Sequence, residues 1–390
     1  MRTLLCTIAA CALWASPSLA QIDIVIQYLQ VEAPAPSTLS NLDPRPEDLG
    51  LAGARVGIED NATTGRFLGQ TYGLQTHTVP EGDDPLPIAI TALAQSDFLV
   101  IDAPAKALLA IADLPEAQGA LLFNTSAPDM PLRSEACRPN LLHTGPSLAM
   151  RTDALAQFIQ TRRWTDLALI AGEHPLDIAF AEALRGSLKK FGLTLNAEKT
   201  WAFDADMRRN AAQEVPLFTQ ELGDYDLLLV ADEIQDFGRY IAFNTWRPRP
   251  VAGSEGLTAA GWSTVVEQWG AAQLQSRFRD AAGRDMAPED YAAWAAIRAI
   301  GEAVTRTQSA EAASLRAYML GPEFELAGFK GRPLTFRNWN GQLRQPIPLV
   351  HPRALVALAP LEGFLHQRNE LDTLGLDAPE SACTTFEAPQ

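Results

Sequence analysis

Short apolar runs recur along the chain, each of strand length and each followed by a turn or a helix signal. They cover residues 22–29, 98–101, 120–123, 167–171 and 227–231. The unbroken run at 227–230 is typical of a strand buried on both faces, as in a parallel sheet. Between the runs, apolar side chains share one helical face at 148–159 and again at 181–191. This alternation predicts an α/β fold with parallel sheets and right-handed crossovers.

The second half of the chain predicts mainly helices. Apolar and aromatic residues form one helical stripe at 262–269 and another at 291–300, and Pro288 opens the second in its first turn. Aromatic residues at this spacing favour core packing over a cofactor site. Residues 31–50, rich in Pro, Ser and Asp, predict a loop, and the tail after Gly363 predicts an extended arm.

The length and the N-terminus indicate an exported protein with two domains. A chain of 390 residues is too long for one ordinary hydrophobic core. Residues 1–20 combine a basic start, an apolar run at 4–14 and small residues before Gln21, which predicts a cleaved signal peptide. A lipoprotein cleavage site at 8–11 is the alternative, although it would leave almost no hydrophobic segment before it. No later stretch reaches the roughly 20 apolar residues of a membrane helix.

The net charge limits the classes of binding partner, and the cysteine content bears on disulfide bonding. A formal net charge of −16 argues against nucleic acid and against an anionic membrane surface, and it favours a soluble monomer. Removing the signal peptide leaves two cysteines, Cys137 and Cys383. Two thiols in an exported chain predict a disulfide that would staple the tail to the first lobe, and two unpaired thiols are the alternative.

Three segments resemble landmarks of the leucine/isoleucine/valine-type periplasmic binding proteins. Residues 53–61, followed by Gly65 and Gly69, resemble that family's first helix and turn. Residues 126–144 resemble the entry to its first interlobe crossover, and 328–336 resemble a late segment. The resemblance implies a periplasmic substrate-binding protein of an ABC transporter with the type I fold. That fold has two Rossmann-like lobes with parallel sheets, joined by three hinge crossovers, and a small ligand in the cleft between the lobes.

The same landmarks imply the domain boundaries. Lobe one would hold residues 22–143 and 252–333, and lobe two would hold 144–251 and 334–365. Residues 366–390 would form a C-terminal arm. A transporter permease is the implied protein partner.

A narrower resemblance involves residues 124–129, 336–346 and 371–383. They are similar to a subfamily of substrate-binding proteins associated with pyrroloquinoline-quinone (PQQ)-dependent alcohol dehydrogenase systems. The association describes a pathway and assigns no ligand, so PQQ, a cation and an alcohol-derived metabolite all stay open. PQQ is a flat aromatic trianion, which requires guanidinium groups and a stacking ring. The candidates for those contacts are Arg133, Arg337, Arg344, Trp262 and Trp339.

The predicted site lies in the loops after the strands, since ligands in open α/β sheets bind beyond the carboxyl ends of the strands. The loop after the third strand contains Asp102 and Ala103 but no hydroxyl group. Amino-acid binders of the family usually hold the ligand carboxylate with hydroxyl groups there, so an α-amino acid is disfavoured. Thr125 and Ser126 supply hydroxyl groups at the next loop.

Acidic residues dominate these predicted rims, where only Lys106 and Arg133 oppose them. An acidic cleft favours a cationic ligand, either an amine or a hard metal ion. The alternative is that the acids cap helices, whose N-termini favour negative charge; both interpretations stay open. The predicted ligand-binding residues are Asp102, Ala103, Thr125, Ser126, Asp129, Glu173, Asp177, Asp232, Glu233, Glu255 and Trp262.

Enzyme motifs are not recognisable. Residues 253–256 lack the spacing of a nucleophile elbow, and no glycine-rich phosphate loop occurs. His174 and Asp177 alone are too few ligands for a metal. We therefore predict a binding function with no catalytic residue, resident cofactor or metal site. The alternatives to transport are a ligand sensor and a PQQ- or lanthanide-binding protein.

Overall fold

The computed structural model describes residues 21–32, 45–201 and 207–386. The predicted signal peptide, most of the predicted loop at 31–50 and the end of the arm lie outside the described residues. No helix in these ranges is long and apolar enough to cross a membrane.

The first 143 residues supply a five-stranded parallel sheet. Its strands and the helices between them are β1 (Ile22–Val31), α1 (Leu51–Leu68), β2 (Gln70–Val79), α2 (Leu86–Leu93), β3 (Phe98–Asp102), α3 (Ala105–Ala112), β4 (Leu121–Asn124) and β5 (Leu141–His143). The order is β2-β1-β3-β4-β5, and all neighbours pair in parallel. The strands predicted at 22–29, 98–101 and 120–123 are confirmed as β1, β3 and β4.

The chain then crosses to a second set of alternating elements. They are α4 (Leu148–Arg162), β6 (Leu167–Ala171), α5 (Pro175–Lys190), β7 (Leu195–Thr200), α6 (Met207–Gln220), β8 (Leu227–Ala231), α7 (Gly238–Ile241), β9 (Val251–Gly253) and β10 (Leu257–Ala259). Ser147 caps α4 by accepting a hydrogen bond from the amide of Met150, as the sequence predicts. The strands predicted at 167–171 and 227–231 are confirmed as β6 and β8.

The last part of the chain contributes helices and strands to both lobes. Its elements are α8 (Ala271–Ala282), α9 (Pro288–Thr307), α10 (Ala312–Leu320), β11 (Thr335–Phe336), β12 (Leu343–Arg344), β13 (Ile347–His351) and β14 (Ala354–Ala359). The second sheet has the order β14-β13-β10-β9-β8-β6-β7, in which β13 and β14 run antiparallel to their neighbours. A short β11–β12 hairpin stands apart from both large sheets.

Two predicted boundaries differ from this arrangement. Residues 252–259, predicted for lobe one, belong to lobe two, because β9 pairs with β8 and β10 pairs with β13. Residues 334–343, predicted for lobe two, belong to lobe one, since Leu334, Phe336 and Leu343 are buried in its core. The three crossovers therefore run through 144–147, 260–262 and 344–346, and we number them one to three.

The stripe predicted at 262–269 forms turns rather than a helix. Trp262 and Val266 are nevertheless buried in the lobe-one core. Trp269 has φ 55° and Gly270 has φ 83°, and this left-handed backbone does not continue a right-handed helix. The second stripe, at 291–300, is confirmed within α9, which is buried in the lobe-one core and packs against α1 and β3.

The tail after β14 forms the predicted arm. It contains a short 3₁₀ turn at Glu370–Thr373 and returns to lobe one. The predicted disulfide between Cys137 and Cys383 is present, with an S–S distance of 2.04 Å.

Candidate functional site

Polar residues follow the carboxyl ends of the strands in both sheets. Asp102 ends β3, and Thr125 and Ser126 follow β4 in lobe one. Asp232 and Glu233 follow β8 in lobe two. We call these two sets of loops the lobe-one rim and the lobe-two rim.

Asp102 is the central acid of the lobe-one rim. Its side chain is 6% exposed, and its Oδ2 accepts a 3.3 Å hydrogen bond from the Gln30 amide. Burial raises the pKa of the Asp102 carboxyl, although Ser126, Arg45 and Gln30 oppose the rise. A buried carboxyl group with so little compensation favours a proton or a nearby cation.

The hydroxyl group of Tyr28 lies close to Asp102. It is buried and has no hydrogen-bond partner among the described residues. Burial, followed by the negative charge of Asp102, raises the Tyr28 pKa well above its usual value. Gly50, with φ 79°, packs against this hydroxyl group, where a side chain would have no room.

The predicted hydroxyl residues serve the protein itself. Thr125 is buried and donates its hydroxyl to the carbonyl of Ile101 at 3.1 Å. The Ser126 hydroxyl accepts a 3.1 Å hydrogen bond from the amide of Ala103. These bonds hold the β3 and β4 loops together, and only Ser126 of the pair stays partly exposed.

Trp262 is also a structural residue in this geometry. Its side chain is 2% exposed and stacks on Tyr291, with 4.5 Å between the ring centroids. Its indole N–H has no partner among the described residues.

An ion pair dominates the lobe-two rim. Both terminal nitrogens of Arg151, at the start of α4, donate to Glu233 at 2.6 and 3.0 Å. The Ser254 hydroxyl donates to the same carboxylate at 2.8 Å. Burial would raise the pKa of Glu233, but the charge and hydrogen bonds of Arg151 outweigh it and lower the pKa.

Two other acids of this rim bind backbone amides. Asp232 accepts hydrogen bonds from the amides of Asp236, Phe237 and Gly238, at 2.9, 2.9 and 2.6 Å, and so caps α7. Asp177 accepts a 2.6 Å hydrogen bond from the Glu233 amide, and burial raises its pKa to about 6. For Asp232 the helix-cap interpretation accounts for the observed contacts.

The remaining predicted acids are peripheral. Glu173 is exposed. The backbone carbonyl of Asp129 accepts a 3.0 Å hydrogen bond from Arg133. Glu255 lies against Gly238, beside the Asp232 cap.

The two rims meet through residues that the sequence did not single out. Glu289, in the first turn of α9, is partly buried, and burial raises its pKa. Burial would lower the pKa of Arg151, but Glu233 and the negative charge of Glu289 raise it. The negative charge of Asp102 also raises the pKa of Glu289. Glu289 of lobe one thus lies within electrostatic range of Arg151 of lobe two, across the lobe boundary, and Asp102 lies within range of Glu289.

The chain was compared with known proteins. No protein-family model and no curated protein matches it, but many solved structures do. A branched-chain amino acid ABC transporter periplasmic ligand-binding protein from Burkholderia xenovorans has a TM-score of 0.71 at 16% identity, covering 93% of this chain and 99% of that one.

Two further structures contain ligands. An ABC transporter solute-binding protein from R. palustris in complex with benzoate has a TM-score of 0.63 at 13% identity, covering 92% of this chain and 99% of that one. A substrate-binding protein from Desulfitobacterium hafniense in complex with Leu has a TM-score of 0.62 at 13% identity, covering 85% and 99%.

The chain has the type I periplasmic binding protein fold. In this binding-protein fold, the three guanidinium groups considered for an anionic ligand are occupied elsewhere. Arg133 donates to Gln342 and to the carbonyls of Ala127, Asp129 and Gly145. Burial lowers the Arg133 pKa to about 9.

The other two arginines of that group bind the arm. Arg337 and Arg344 both donate to Asp372, at 3.0 and 2.7 Å. The Trp339 ring contacts both guanidinium groups, at 5.4 and 4.9 Å from its centroid. None of these side chains is placed on a rim of the binding-protein fold.

Metal ligands are not assembled in the part of the chain that the structure describes. There, no three His, Cys, Asp or Glu side chains are grouped to hold an ion. A surface depression between α5 and β7, bordered by Arg185 and Glu198, lies away from both rims.

Proposed function

We propose that this chain is the periplasmic solute-binding component of an ABC transporter and that it holds a small ligand between its two lobes. The observation that supports this most is the electrostatic interaction of Glu289 in lobe one with Arg151 in lobe two, across the lobe boundary. Two polar rims that face each other beside three short crossovers suit a protein that closes around its ligand.

We further propose that the ligand is an organic cation. The lobe-one rim offers the Asp102 carboxyl and the Glu289 carboxyl, whose pKa values burial raises. The charge of Arg45 offsets this rise only in part, and the Arg151 guanidinium already makes two hydrogen bonds to Glu233. A ligand that brings positive charge would compensate the buried acids, whereas PQQ would add three negative charges beside them.

The link to a PQQ-dependent alcohol dehydrogenase system is part of the same proposal. It is supported by the resemblance of residues 124–129, 336–346 and 371–383. The second and third of these segments contact each other through Arg337 and Asp372, in the arm. The resemblance therefore assigns no ligand.

A thermal-shift panel tests the ligand class. Mature protein beginning at Gln21 would be heated with benzylamine, ethanolamine, spermidine, PQQ, benzyl alcohol, Ca²⁺ and La³⁺. A ligand at 100 times its dissociation constant adds about 2.7 kcal/mol to the free energy of unfolding. We expect an amine to stabilise the protein and PQQ to leave it unchanged; stabilisation by PQQ alone contradicts the proposal.

Matched substitutions test whether both rims contribute. Glu289→Gln in lobe one and Glu233→Gln in lobe two should each weaken amine binding by about 1–3 kcal/mol, roughly 5- to 150-fold. Glu173→Gln makes the same charge change at an exposed position and should leave the affinity unchanged. Equal affinities in all three variants place the ligand elsewhere.

A further inference from the structure

The arm after β14 forms a fourth link between the lobes, and we call residues 361–386 the strap. It begins in lobe two, where the amide of Leu361 donates to Gln157 of α4 at 2.9 Å. It ends in lobe one, where Cys383 is bonded to Cys137 and Phe386 is buried in the core. Unlike the three crossovers, this link is closed by a covalent bond between distant residues.

A buried ion pair anchors the middle of the strap to lobe one. Asp372 is 3% exposed and accepts hydrogen bonds from Arg337 in the β11–β12 turn and from Arg344 at the start of crossover three. Arg337 is 1% exposed, and it also donates to the carbonyls of Leu371, Leu374 and Leu376. A buried guanidinium with four such acceptors cannot release the strap without losing several charged hydrogen bonds at once.

Lobe two holds the same stretch of strap from the other side. Lys190 of α5 donates to the carbonyl of Gly375 at 2.9 Å and to Asp153 of α4 at 3.0 Å. The Gly375 amide in turn donates to Asp153 at 2.8 Å. The strap is therefore bound to both lobes within six residues, 371–376.

The strap crosses the molecule at the hinge. Gly375 has φ 83°, and a side chain there would lie 2.8 Å from Met150 Cγ and 3.4 Å from the Ser147 hydroxyl, at the end of crossover one. The buried Lys330 donates to the carbonyl of Gly261 in crossover two and to Gln345 in crossover three. Gln345 then donates to the carbonyl of Thr144 in crossover one at 2.8 Å. All three crossovers and the strap thus meet in one hydrogen-bonded layer.

We propose that the strap restricts how far the lobes open, and so holds the ligand-free protein near the interlobe separation that a ligand requires. Three short crossovers alone permit hinge rotation between the lobes. Opening by such a rotation would pull the Asp153–Lys190 anchor of lobe two away from the Arg337 and Cys137 anchors of lobe one. This inference concerns lobe motion without ligand, so it goes beyond the proposed function and does not depend on the ligand class.

The test measures interlobe distance in the ligand-free protein. A keto amino acid would replace Arg55 on α1 and Glu182 on α5, which are both exposed. Spin labels attached through the keto groups leave the cysteines untouched. The distance distribution between the labels would be compared for the otherwise native chain, Cys137→Ser/Cys383→Ser and Asp372→Asn.

We expect both strap variants to shift the distribution to longer distances and to broaden it. Asp113→Asn, which removes an exposed ion pair with Arg138 inside lobe one, is the matched control and should leave it unchanged. A second label pair within lobe one, at Arg55 and Lys106, should stay constant in every variant and show that the lobe is intact.

Distributions in both strap variants that superimpose on the native one overturn the proposal, even if the melting temperature falls. The strap would then be a staple for stability only. Asp372→Asn retains the disulfide. If the cysteine variant fails to fold, the distance distribution of Asp372→Asn alone decides whether the strap restricts opening.

Discussion

Asp232 shows how a rim acid can be structural. Its carboxylate accepts hydrogen bonds from three backbone amides at the start of α7. The Ser254 hydroxyl in turn accepts a hydrogen bond from the amide of Asp232. Amides at a helix start have no partner within the helix, so a carboxylate there compensates both hydrogen bonding and charge. A negative residue beside a cleft is therefore weak evidence for a ligand until its partners are known.

Asp232→Ala should lower the free energy of unfolding by about 1–2 kcal/mol, because three amides lose their acceptor. Amine affinity should hardly change. Urea unfolding and calorimetric titration of the same variant separate the two effects. Glu173→Ala, at an exposed position, should stay within about 0.5 kcal/mol of the native stability. A large loss of affinity with unchanged stability would return Asp232 to the ligand site.

Asp177 should give stability a distinctive pH dependence. Burial raises its pKa from 3.8 to about 6. Between those values the folded state keeps a proton that the unfolded state has released, so folding loses stability as the pH rises from 4 to 6. Relative to Asp177→Asn, the free energy of unfolding of the native chain should fall by at most about 1.4 kcal/mol per pH unit in this window.

Asp113 is the control for this measurement. The hydrogen bond from Arg138 lowers its pKa, so its contribution is lost as the pH falls. The stability that the native chain has relative to Asp113→Asn should thus rise with pH, whereas its stability relative to Asp177→Asn should fall. A stability difference between native protein and Asp177→Asn that is independent of pH would contradict the assigned shift.

The candidate site was predicted from sequence only in part. Strand ends locate Asp102 and Asp232 correctly, because a buried apolar run ends visibly in the sequence. Glu289 and Arg151 were missed, since both lie within helices whose apolar stripes dominate the pattern. Whether an acid pairs with an arginine, an amide or nothing depends on contacts between residues far apart in sequence, and no local pattern encodes them.

At the scale of elements, α1 and α9 pack closely through small residues. A side chain at Gly57 would come within 2.8 Å of Ile297 Cβ, and one at Gly53 would collide with the backbone of Asp290. The glycines that carry the family resemblance at 53–61 therefore have a packing reason: they let α1 approach the buried α9. The Gly50 amide, just before α1, reinforces the contact by donating to Asp290 at 2.8 Å.

Gly57→Ala should destabilise the protein by about 1–3 kcal/mol, because an added methyl group overpacks the contact with Ile297. Gly186→Ala is the matched control, since Gly186 lies in α5 with nothing within 4 Å of a new side chain. That change should instead stabilise by about 0.5–1 kcal/mol through helix propensity. Denaturant unfolding measures both, and equal effects of the same sign would contradict this account of the packing.

For the whole molecule, the alternation of strand-length runs with helical stripes predicted α/β layers with parallel sheets. The two lobes were implied by the family resemblance. The lobe boundaries near 252 and 334 were misplaced, because β9–β12 are only two or three residues long. Such short strands have no periodicity to read, and only sheet pairing assigns them to a lobe.

The buried acids predict how protons should act on binding by the whole cleft. Burial raises the pKa values of both Asp102 and Glu289, and a bound cation favours their charged forms. Benzylamine affinity should therefore fall as the pH is lowered through the raised pKa values of these carboxyls, by at most about tenfold per unit for each proton displaced. Titration calorimetry in two buffers of different ionisation enthalpy measures the proton release. An affinity that is unchanged or higher at low pH contradicts a cationic ligand.

Lobe one is assembled from two separate parts of the chain, and this affects how the protein can be made. Its sheet comes from residues 22–143, but α9, which covers Ile24, Ile26 and Phe123, arrives only at residue 288. A ribosome or an export channel that delivers the chain from its N-terminus releases a sheet with one apolar face that only α1 partly covers. Residues 144–287 must follow before α9 completes that cover, and strands exposed in this way are prone to aggregate. A fragment that ends after β5 should therefore be insoluble, whereas one that runs from β6 to β10 already contains most of its own core.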